Sequence, residues 1–363
     1  MIQTLLVVVI AGVLGCTGAR PQPPAPRGGP RGVVLVIGDG MGSGMVALLL
    51  AARPHGALAE MMRDGTVGLV DPAPFGALVT DSAAGGTALA TGVQTRPRMI
   101  AVDPDGRAVE TLLEHAARRG LATAVVTTAS LTDATPAAFL AHVVERSASR
   151  AIAAQELAAP PTIAIGGGRA WVPQPPPSIH VLADEDLPYR RSSPRPSLAA
   201  LTAEALAAVA NRPGGFVMMV EAALIDNAGH AHLAPELLGE LLDLDDALAT
   251  LAPRARAGEL LVVVTADHET GGFAFQFREL AEPPPSITLG SGVRWNPVAE
   301  FGSAATIDAL RRGDTPPEVA WSTEAHTSAL VPLVAVGPGA PAFAGFHAQW
   351  QVGRLLRAAV DAR

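Results

Sequence analysis

Short apolar runs recur along the chain, and each is followed within two residues by a glycine or a polar side chain. Runs that are this short and this continuous are typical of strands buried on both faces of a sheet. They cover residues 33–37, 123–126, 162–165, 216–220, 261–265 and 331–336. The sequence therefore predicts a sheet of at least these strands.

Alanine- and leucine-rich segments with helical spacing alternate with these runs. They cover residues 43–52, 107–119, 136–158, 198–211, 235–251 and 348–362. The alternation predicts an α/β fold, in which a mostly parallel central sheet has helices on both faces. The stretches 171–197 and 280–322 are interpreted as irregular insertions, so we expect one folded domain over residues 33–363.

The amino-terminal residues predict export. Residues 2–15 are apolar and carry no charge, but a bilayer span takes about 20 such residues. The segment is instead typical of a signal peptide over residues 1–15. It ends in Val-Leu-Gly before Cys16, which resembles a bacterial lipobox, where the signal is cut before a lipidated cysteine.

Residues 16–32 are rich in proline, which predicts an extended, semi-rigid tether. Such a tether fits a lipid anchor on Cys16, and this interpretation expects a periplasmic or cell-envelope lipoprotein. The alternative is a buried amino-terminal strand with an incidental cysteine.

Composition excludes several kinds of chemistry. The chain contains no lysine, which excludes a lysine-dependent phosphate-binding loop and a pyridoxal Schiff base. Its single cysteine excludes an intrachain disulfide and a paired-cysteine redox site. The net charge of −8 argues against a nucleic-acid partner, because phosphate backbones require concentrated positive charge.

Acidic side chains follow three of the predicted strands. Asp39, Glu221 and Asp267 each come directly after an apolar run or within two residues of it. In open α/β sheets, ligand sites form beyond the carboxyl ends of the strands. We therefore expect these carboxylates to share one site.

Two pairs of candidate metal ligands lie near these strand ends. Asp267 and His268 are consecutive, and Asp226 and His230 are four residues apart, so a helix would place the second pair on one face. Carboxylate with imidazole suits zinc. The alternatives are a capped turn for the first pair and a solvated helix start for the second.

Ser82 precedes an alanine-rich segment, which would place its hydroxyl at the positive end of a helix dipole. The spacing alone favours a helix-capping role, and a nucleophile is the alternative. The glycine-rich turn at 38–42 could meet a phosphate at a helix start, but it lacks the spacing of a dinucleotide-binding fingerprint.

Six motifs, taken in order, closely resemble the alkaline phosphatase family. They are GDGMG at 38–42, TDSAA at 80–84, TDATPAA at 132–138, E-x4-D-x3-H at 221–230, TADHE at 265–269 and AHT at 325–327. The resemblance implies an alkaline-phosphatase-like fold, with 280–322 as a reduced crown or dimer-contact insertion. It also implies hydrolysis of small phosphate monoesters and is compatible with a homodimer.

The resemblance further implies two zinc ions and one magnesium ion. Asp226, His230 and His326 would hold the first zinc, Asp39, Asp267 and His268 the second, and Asp39, Thr135 and Glu221 the magnesium. The first two sets combine imidazole with carboxylate and the third is all oxygen, which matches the preferences of these metals.

The remaining roles also come from the resemblance. Ser82 would be the metal-activated nucleophile that forms a phosphoserine, and Arg146 would bind two phosphate oxygens. Asp133 and Asn227 would lie beside the magnesium site. A phosphodiesterase of the same superfamily is one alternative, and a phosphate- or metal-binding lipoprotein is another, although a binding protein does not need Ser82.

Overall fold

The computed structural model describes residues 29–276 and 303–363, together with the backbone of four two-residue strands between these ranges. Residues 1–28 lie outside the described residues, and with them the predicted signal peptide 1–15, Cys16 and most of the tether 16–32. Within the 280–322 stretch, residues 280–302 also lie outside them, apart from the backbone of the short strands. No helix among the described residues has the length and apolar composition needed to cross a membrane.

A nine-stranded, mostly parallel sheet forms the centre of the molecule, in the order β17-β2-β16-β7-β1-β6-β3-β4-β5. Only β16 runs antiparallel to its neighbours. The strands are β1 Gly32–Gly38, β2 Thr66–Asp71, β3 Ala122–Ser130, β4 Ile163–Gly167, β5 Ile179–Val181, β6 Phe216–Ala222, β7 Leu260–Thr265, β8 Glu269–Thr270, β9 Ala274–Phe275, β10 Arg278–Glu279, β11 Ile287–Thr288, β12 Arg294–Trp295, β13 Ala299–Glu300, β14 Val319–Ala320, β15 His326–Thr327, β16 Val331–Val336 and β17 Gly345–Ala348.

Eleven helices among the described residues surround the sheet. They are α1 Ser43–Ala52, α2 Ala57–Asp64, α3 Ser82–Thr91, α4 Leu112–Arg118, α5 Ala134–Leu140, α6 Ser149–Ala158, α7 Leu198–Val209, α8 Leu224–His230, α9 Ala234–Arg256, α10 Ala304–Arg312 and α11 Gln349–Asp361. They form two groups, one around α9 and one around α3 and α11, and each group packs against the sheet. The predicted fold class is confirmed.

All six predicted strands are present, and their continuous apolar character has a direct cause. Every residue of β1, β3, β6 and β7 is buried, because helices cover both faces of these central strands. In the 280–322 stretch, the described helix α10 packs against α1 and α9.

One predicted helix is wrong. The segment 136–158 forms two helices, α5 and α6, because residues 141–148 leave the helical conformation. Val143 exchanges backbone hydrogen bonds with Ile100 at 2.9 and 3.1 Å, and this pairing replaces the helical pattern. His142, which the prediction placed on the helix, lies in the same loop, where its ring contacts Glu114.

Candidate active site

The four innermost strands deliver one side chain each to a common edge of the sheet. β7, β1, β6 and β3 are adjacent and parallel, so their carboxyl ends coincide. Asp39 follows β1, Glu221 is the penultimate residue of β6, Asp267 follows β7, and Thr135 follows β3 on α5. All four residues are buried.

Ser82 is the first residue of α3 and is only 4% exposed. The helix cap is the preceding residue, because the Asp81 carboxylate accepts a hydrogen bond from the backbone of Ala84 at 3.1 Å. The capping role that spacing favoured for Ser82 is therefore wrong. The Ser82 Oγ atom instead lies 3.1 Å from Nε2 of His268, and the helix dipole favours negative charge at this position.

Hydrogen bonds fix which nitrogen of His268 carries the proton. Thr270 donates its hydroxyl hydrogen to Asp226, so this hydroxyl must accept from His268 Nδ1, 3.2 Å away. Nε2 then presents a lone pair toward Ser82, Asp39 and Asp267, with 3.5 Å to Asp39 Oδ1 and 3.2 Å to Asp267 Oδ2. Burial lowers the pKa of His268 to about 4, which keeps the ring neutral.

A second group of ligand atoms joins α8 to β15. As the spacing predicted, Asp226 and His230 share a helix face, with 3.3 Å between Asp226 Oδ2 and His230 Nε2. His326 Nε2 lies 3.0 Å from His230 Nε2 and 3.6 Å from Asp226 Oδ1. The Asp226 carboxylate also reaches the group formed with Asp39 and His268, so it lies between both clusters.

The buried carboxylates repel one another. Burial and the charges of the neighbouring carboxylates raise the pKa of Asp39 well above its usual range, and burial likewise raises the pKa values of Glu221 and Asp267. Burial also acts upward on the pKa of Asp226, but its hydrogen bond to His230 and the nearby imidazoles hold that pKa below the usual value.

These residues fit bound divalent cations. Oδ1 of Asp39, Oε1 of Glu221 and Oδ2 of Asp267 are buried and have no hydrogen-bond partner among the described residues. Unpartnered buried oxygens are costly, and cations placed among them would satisfy the lone pairs and cancel the repulsion.

The predicted magnesium ligands are also brought together. The Thr135 hydroxyl donates to Asp39 Oδ2 at 3.3 Å. Thr127 donates to Oε2 of Glu221, and Oε1 of Glu221 has no hydrogen-bond partner among the described residues. The donor set is all oxygen, as magnesium prefers.

Arg146 lies in the loop between α5 and α6. Its guanidinium donates to Asp81 Oδ2 at 3.2 Å and to Asp133 Oδ1 at 3.3 Å, which holds it beside the helix start that carries Ser82. It faces a cleft of about 440 Å³. Asn227 is exposed and lies near Asp186 at the border of this cleft, where its side chain acts to lower the pKa of Asp186 against the larger upward effect of burial.

A family model described as alkaline phosphatase matches residues 30–164 and 174–289. The chain belongs to the alkaline phosphatase family. Members of this family are metal-dependent, and the chain is accordingly a phosphatase that acts on small phosphate monoesters.

Relatives and solved structures agree with this membership. The chain is 30% identical to streptomycin-6-phosphate phosphatase of Streptomyces griseus, over 93% of this chain and 91% of that protein. It is 27% identical to alkaline phosphatase 4 of Bacillus subtilis, over 87% and 85% of the two chains. The structure of alkaline phosphatase from the Antarctic bacterium TAB5 superposes with a TM-score of 0.75 at 27% identity, over 93% of this chain and 99% of that one.

Sequence reasoning missed several residues that arrange this phosphatase site. Asp81 both caps α3 and binds Arg146, and its position directly before Ser82 was the available signal. Thr127 and Thr270 orient Glu221 and His268. Threonines near strand ends are too common for their spacing to single these two out.

Proposed function

We propose that this alkaline phosphatase transfers the phosphoryl group of a monoester to Ser82 and then to water. The observation that carries the proposal is the position of the Ser82 hydroxyl. It is buried at the amino end of α3, and it lies 3.1 Å from a His268 nitrogen whose other contacts are carboxylates.

We further propose the metal assignment implied by the sequence. Asp226, His230 and His326 would hold one zinc, Asp39, Asp267 and His268 a second, and Asp39, Thr135 and Glu221 a magnesium. The cluster of Asp226, His230 and His326 supports the first zinc. A second cluster, of Asp39, Asp226 and His268, contains two of the three ligands proposed for the second zinc, and Asp267 Oδ2 lies 3.2 Å from the His268 nitrogen. A variant of the TAB5 enzyme binds magnesium in a site called M3, which supports a magnesium ion in this fold. When bound, such cations lower the pKa of a serine hydroxyl and neutralise charge on the transferring group.

The chain's own residues perform the displacement in two steps. The Ser82 hydroxyl gives its proton to solvent, its oxygen attacks phosphorus and the bond to the ester oxygen breaks, so the alcohol leaves with a proton from solvent and Ser82 becomes a phosphoserine. Water then attacks phosphorus and gives up a proton, the bond to the Ser82 oxygen breaks, the Ser82 oxygen regains a proton, and inorganic phosphate is released. Arg146 would bind two of the non-bridging oxygens, for which its planar fork is suited.

Monoesters are favoured over diesters by charge. A monoester presents a dianionic phosphate, and Arg146 together with the cations proposed here would supply positive charge for it. A phosphodiesterase is the second candidate, because related metal sites accept other esters. The relative named for streptomycin 6-phosphate adds phosphorylated sugar-like alcohols to the monoesters worth assaying.

The deciding experiment uses the chain without residues 1–16. A chromogenic monoester and the matching diester are assayed at alkaline pH before chelation, after chelation, and after zinc and magnesium are returned. We expect monoester hydrolysis that chelation abolishes and the metals restore, and a loss of at least about a thousandfold in Ser82→Ala. Full activity in Ser82→Ala would overturn the mechanism, and a strong diester preference would overturn the monoester assignment.

The Ser82→Thr variant is a useful second probe, since it keeps a hydroxyl at the same place. Rapid quenching with acid, followed by intact mass measurement, should detect a phosphorylated chain in the parent and none in Ser82→Ala.

Lipidation of Cys16 and export across the inner membrane stay predictions, and mass measurement of the mature protein from membranes tests them.

A further inference from the structure

The cleft beside Arg146 has two unlike walls. Asp81, which directly precedes Ser82, and Arg146 form one part of the lining, called here the near wall, and Trp171, Glu185 and Asp186 form another part, called the far wall. A group bonded to a phosphate at Ser82 could extend into this space. The far wall belongs to the stretch 171–197, which the sequence marked as irregular and which the phosphatase mechanism does not use.

The charge of the cleft is negative. Both of its arginines are already paired, Arg146 with Asp81 and Asp133, and Arg98 with Glu145 through two hydrogen bonds. Glu185 and Asp186, in contrast, form no salt bridge with any residue that the structure describes. The mouth of the site therefore attracts cations and repels additional negative charge.

The same wall carries a flat aromatic surface. Trp171 is 42% exposed, in a chain that has only 4% aromatic residues. Its loop is anchored, because Arg169 and Ala170 donate backbone hydrogen bonds to the segment before Glu185 at 3.0 and 3.1 Å. An indole held in place is a platform for a ring or for a cation.

Hydroxyl groups complete the lining. Ser130, Thr132, Ser147 and Ser149 border the cleft, so it offers donors and acceptors on several sides. Small hydroxyls, carboxylates and an aromatic face together suit a polyhydroxylated ring that also carries positive charge.

We propose that this cleft binds the leaving group and selects phosphate monoesters of cationic, hydroxyl-rich alcohols, amino sugar phosphates above all. The inference rests on the phosphatase function proposed above. Glu185 and Asp186 act as specificity residues through their charge, and Trp171 acts through contact with the ring.

A matched series of three substrates tests the charge preference. Glucosamine 6-phosphate, glucose 6-phosphate and 6-phosphogluconate share a primary phosphate, and they carry a cationic, a neutral and an anionic group elsewhere. At neutral pH and low salt we expect kcat/KM to fall in that order, by about three- to tenfold at each step. Added salt should reduce the differences in kcat/KM among the three substrates, because it screens charges at the cleft mouth.

Variants then assign the preference to the far wall. Glu185→Gln and Asp186→Asn should each reduce the difference in kcat/KM between the cationic and the anionic substrate, because each removes one negative charge from the cleft lining. Trp171→Ala should raise KM for all three sugar phosphates. The matched control is Asp184→Asn, because Asp184 is 86% exposed, does not line the cleft and pairs with Arg169. We expect it to leave the series unchanged.

The outcomes separate this inference from the proposed function. If p-nitrophenyl phosphate is not hydrolysed by the metal-loaded enzyme, the phosphatase mechanism fails. If it is hydrolysed but the three sugar phosphates react equally, or 6-phosphogluconate reacts fastest, the cleft does not select cationic alcohols. The same conclusion follows if Asp184→Asn narrows the series as much as Glu185→Gln does.

Discussion

The Nε2 atoms of His230 and His326 face each other at a distance of 3.0 Å, while Nδ1 of each ring contacts a backbone carbonyl, of Glu324 and Thr80 respectively. Carbonyls only accept, so each Nδ1 carries a proton and each neutral ring directs a lone pair at the other. A cation or a proton held between the rings would satisfy both lone pairs. Asp226 supports such a proton, since its hydrogen bond raises the pKa of His230 to about 9.

This arrangement predicts that His326→Ala loses one bound zinc ion and at least about a hundredfold in kcat/KM. The zinc content of the purified variant, measured by elemental analysis, is the primary readout. His232→Gln is the matched control, because His232 lies two residues from His230 but bonds to the Thr323 carbonyl outside the cluster. Equal zinc content in His326→Ala and His232→Gln would contradict the prediction.

Two adjacent glycines of α3 should respond differently to alanine. A Cβ at position 85 would lie 2.8 Å from the backbone oxygen of Asp267, whereas one at position 86 would lie 3.2 Å from the Ala138 side chain and 3.4 Å from the Cα of Thr135, which is close to ordinary contact. We expect Gly85→Ala to displace Asp267 and lower kcat at least about tenfold. Gly86→Ala should keep its activity and gain up to about 1 kcal/mol from helix propensity. Assays and thermal melts of both variants decide, and a fully active Gly85→Ala would show that the close approach is tolerated.

The central strands and the candidate metal ligands were predictable from sequence, because a buried strand is a continuous apolar run and polar ligands at its end interrupt that run. β1, β6 and β7 are continuous apolar runs, and their ligands follow at the strand ends. Strand β2, which lies between β17 and β16, escaped prediction because four of its six residues are exposed or partly exposed, which breaks the apolar run. Residues 141–148 were mispredicted because their helical composition is overridden by pairing with Ile100. Asp81 and Ser82 are adjacent polar residues, so spacing alone could not tell the cap from the buried hydroxyl.

The buried carboxyl of Glu156 should make the free energy of unfolding fall as the pH rises. It is 1% exposed on α6, neither carboxyl oxygen has a hydrogen-bond partner among the described residues, and burial raises its pKa from 4.5 to about 8. The folded state therefore retains a proton that the unfolded state releases, and stability is lost between about pH 4.5 and pH 8.

We expect Glu156→Gln to remove this loss and to be more stable than the parent by a few kcal/mol at about pH 8. Urea unfolding at several pH values measures the difference, which should grow through this window. Glu259→Gln is the control, since Glu259 forms a surface pair with Arg254, and its effect should stay below about 1 kcal/mol. A parallel shift of Glu156→Gln at every pH would argue against titration of this carboxyl.

Arg98 connects the nucleophile side of the site to the Arg146 loop. Its backbone N–H donates to both oxygens of Asp81 at 3.1 Å, its carbonyl accepts from the Arg146 N–H at 2.9 Å, and its φ is +72°. Glycine adopts this conformation without strain, so Arg98→Gly should be more stable than Arg98→Ala by about 1 kcal/mol.

Both Arg98 variants lose the side-chain pair with Glu145, which anchors the loop that carries Arg146. We expect the inhibition constant for phosphate to rise about threefold in each, with a smaller change in kcat. Arg107→Gln removes a comparable exposed pair, with Asp105, that involves neither Glu145 nor Arg146, and it should leave phosphate inhibition unchanged. If phosphate inhibits the less stable Arg98→Ala more weakly than it inhibits Arg98→Gly, the inhibition constant follows the stability of the variant. That result would indicate a purely structural effect.

Asn227 sets the charge next to the proposed phosphate site. It is exposed on α8, it follows Asp226 directly, and its side chain lies near Asp186. A lysine here would add a positive charge near the phosphate and would partly neutralise Asp186. We expect Asn227→Lys to bind phosphate about three- to tenfold more tightly, seen as stronger product inhibition, and to reduce the preference for cationic substrates. Asn227→Gln keeps the position neutral and should change neither quantity. Unchanged phosphate inhibition in Asn227→Lys would place residue 227 outside the reach of the bound phosphate.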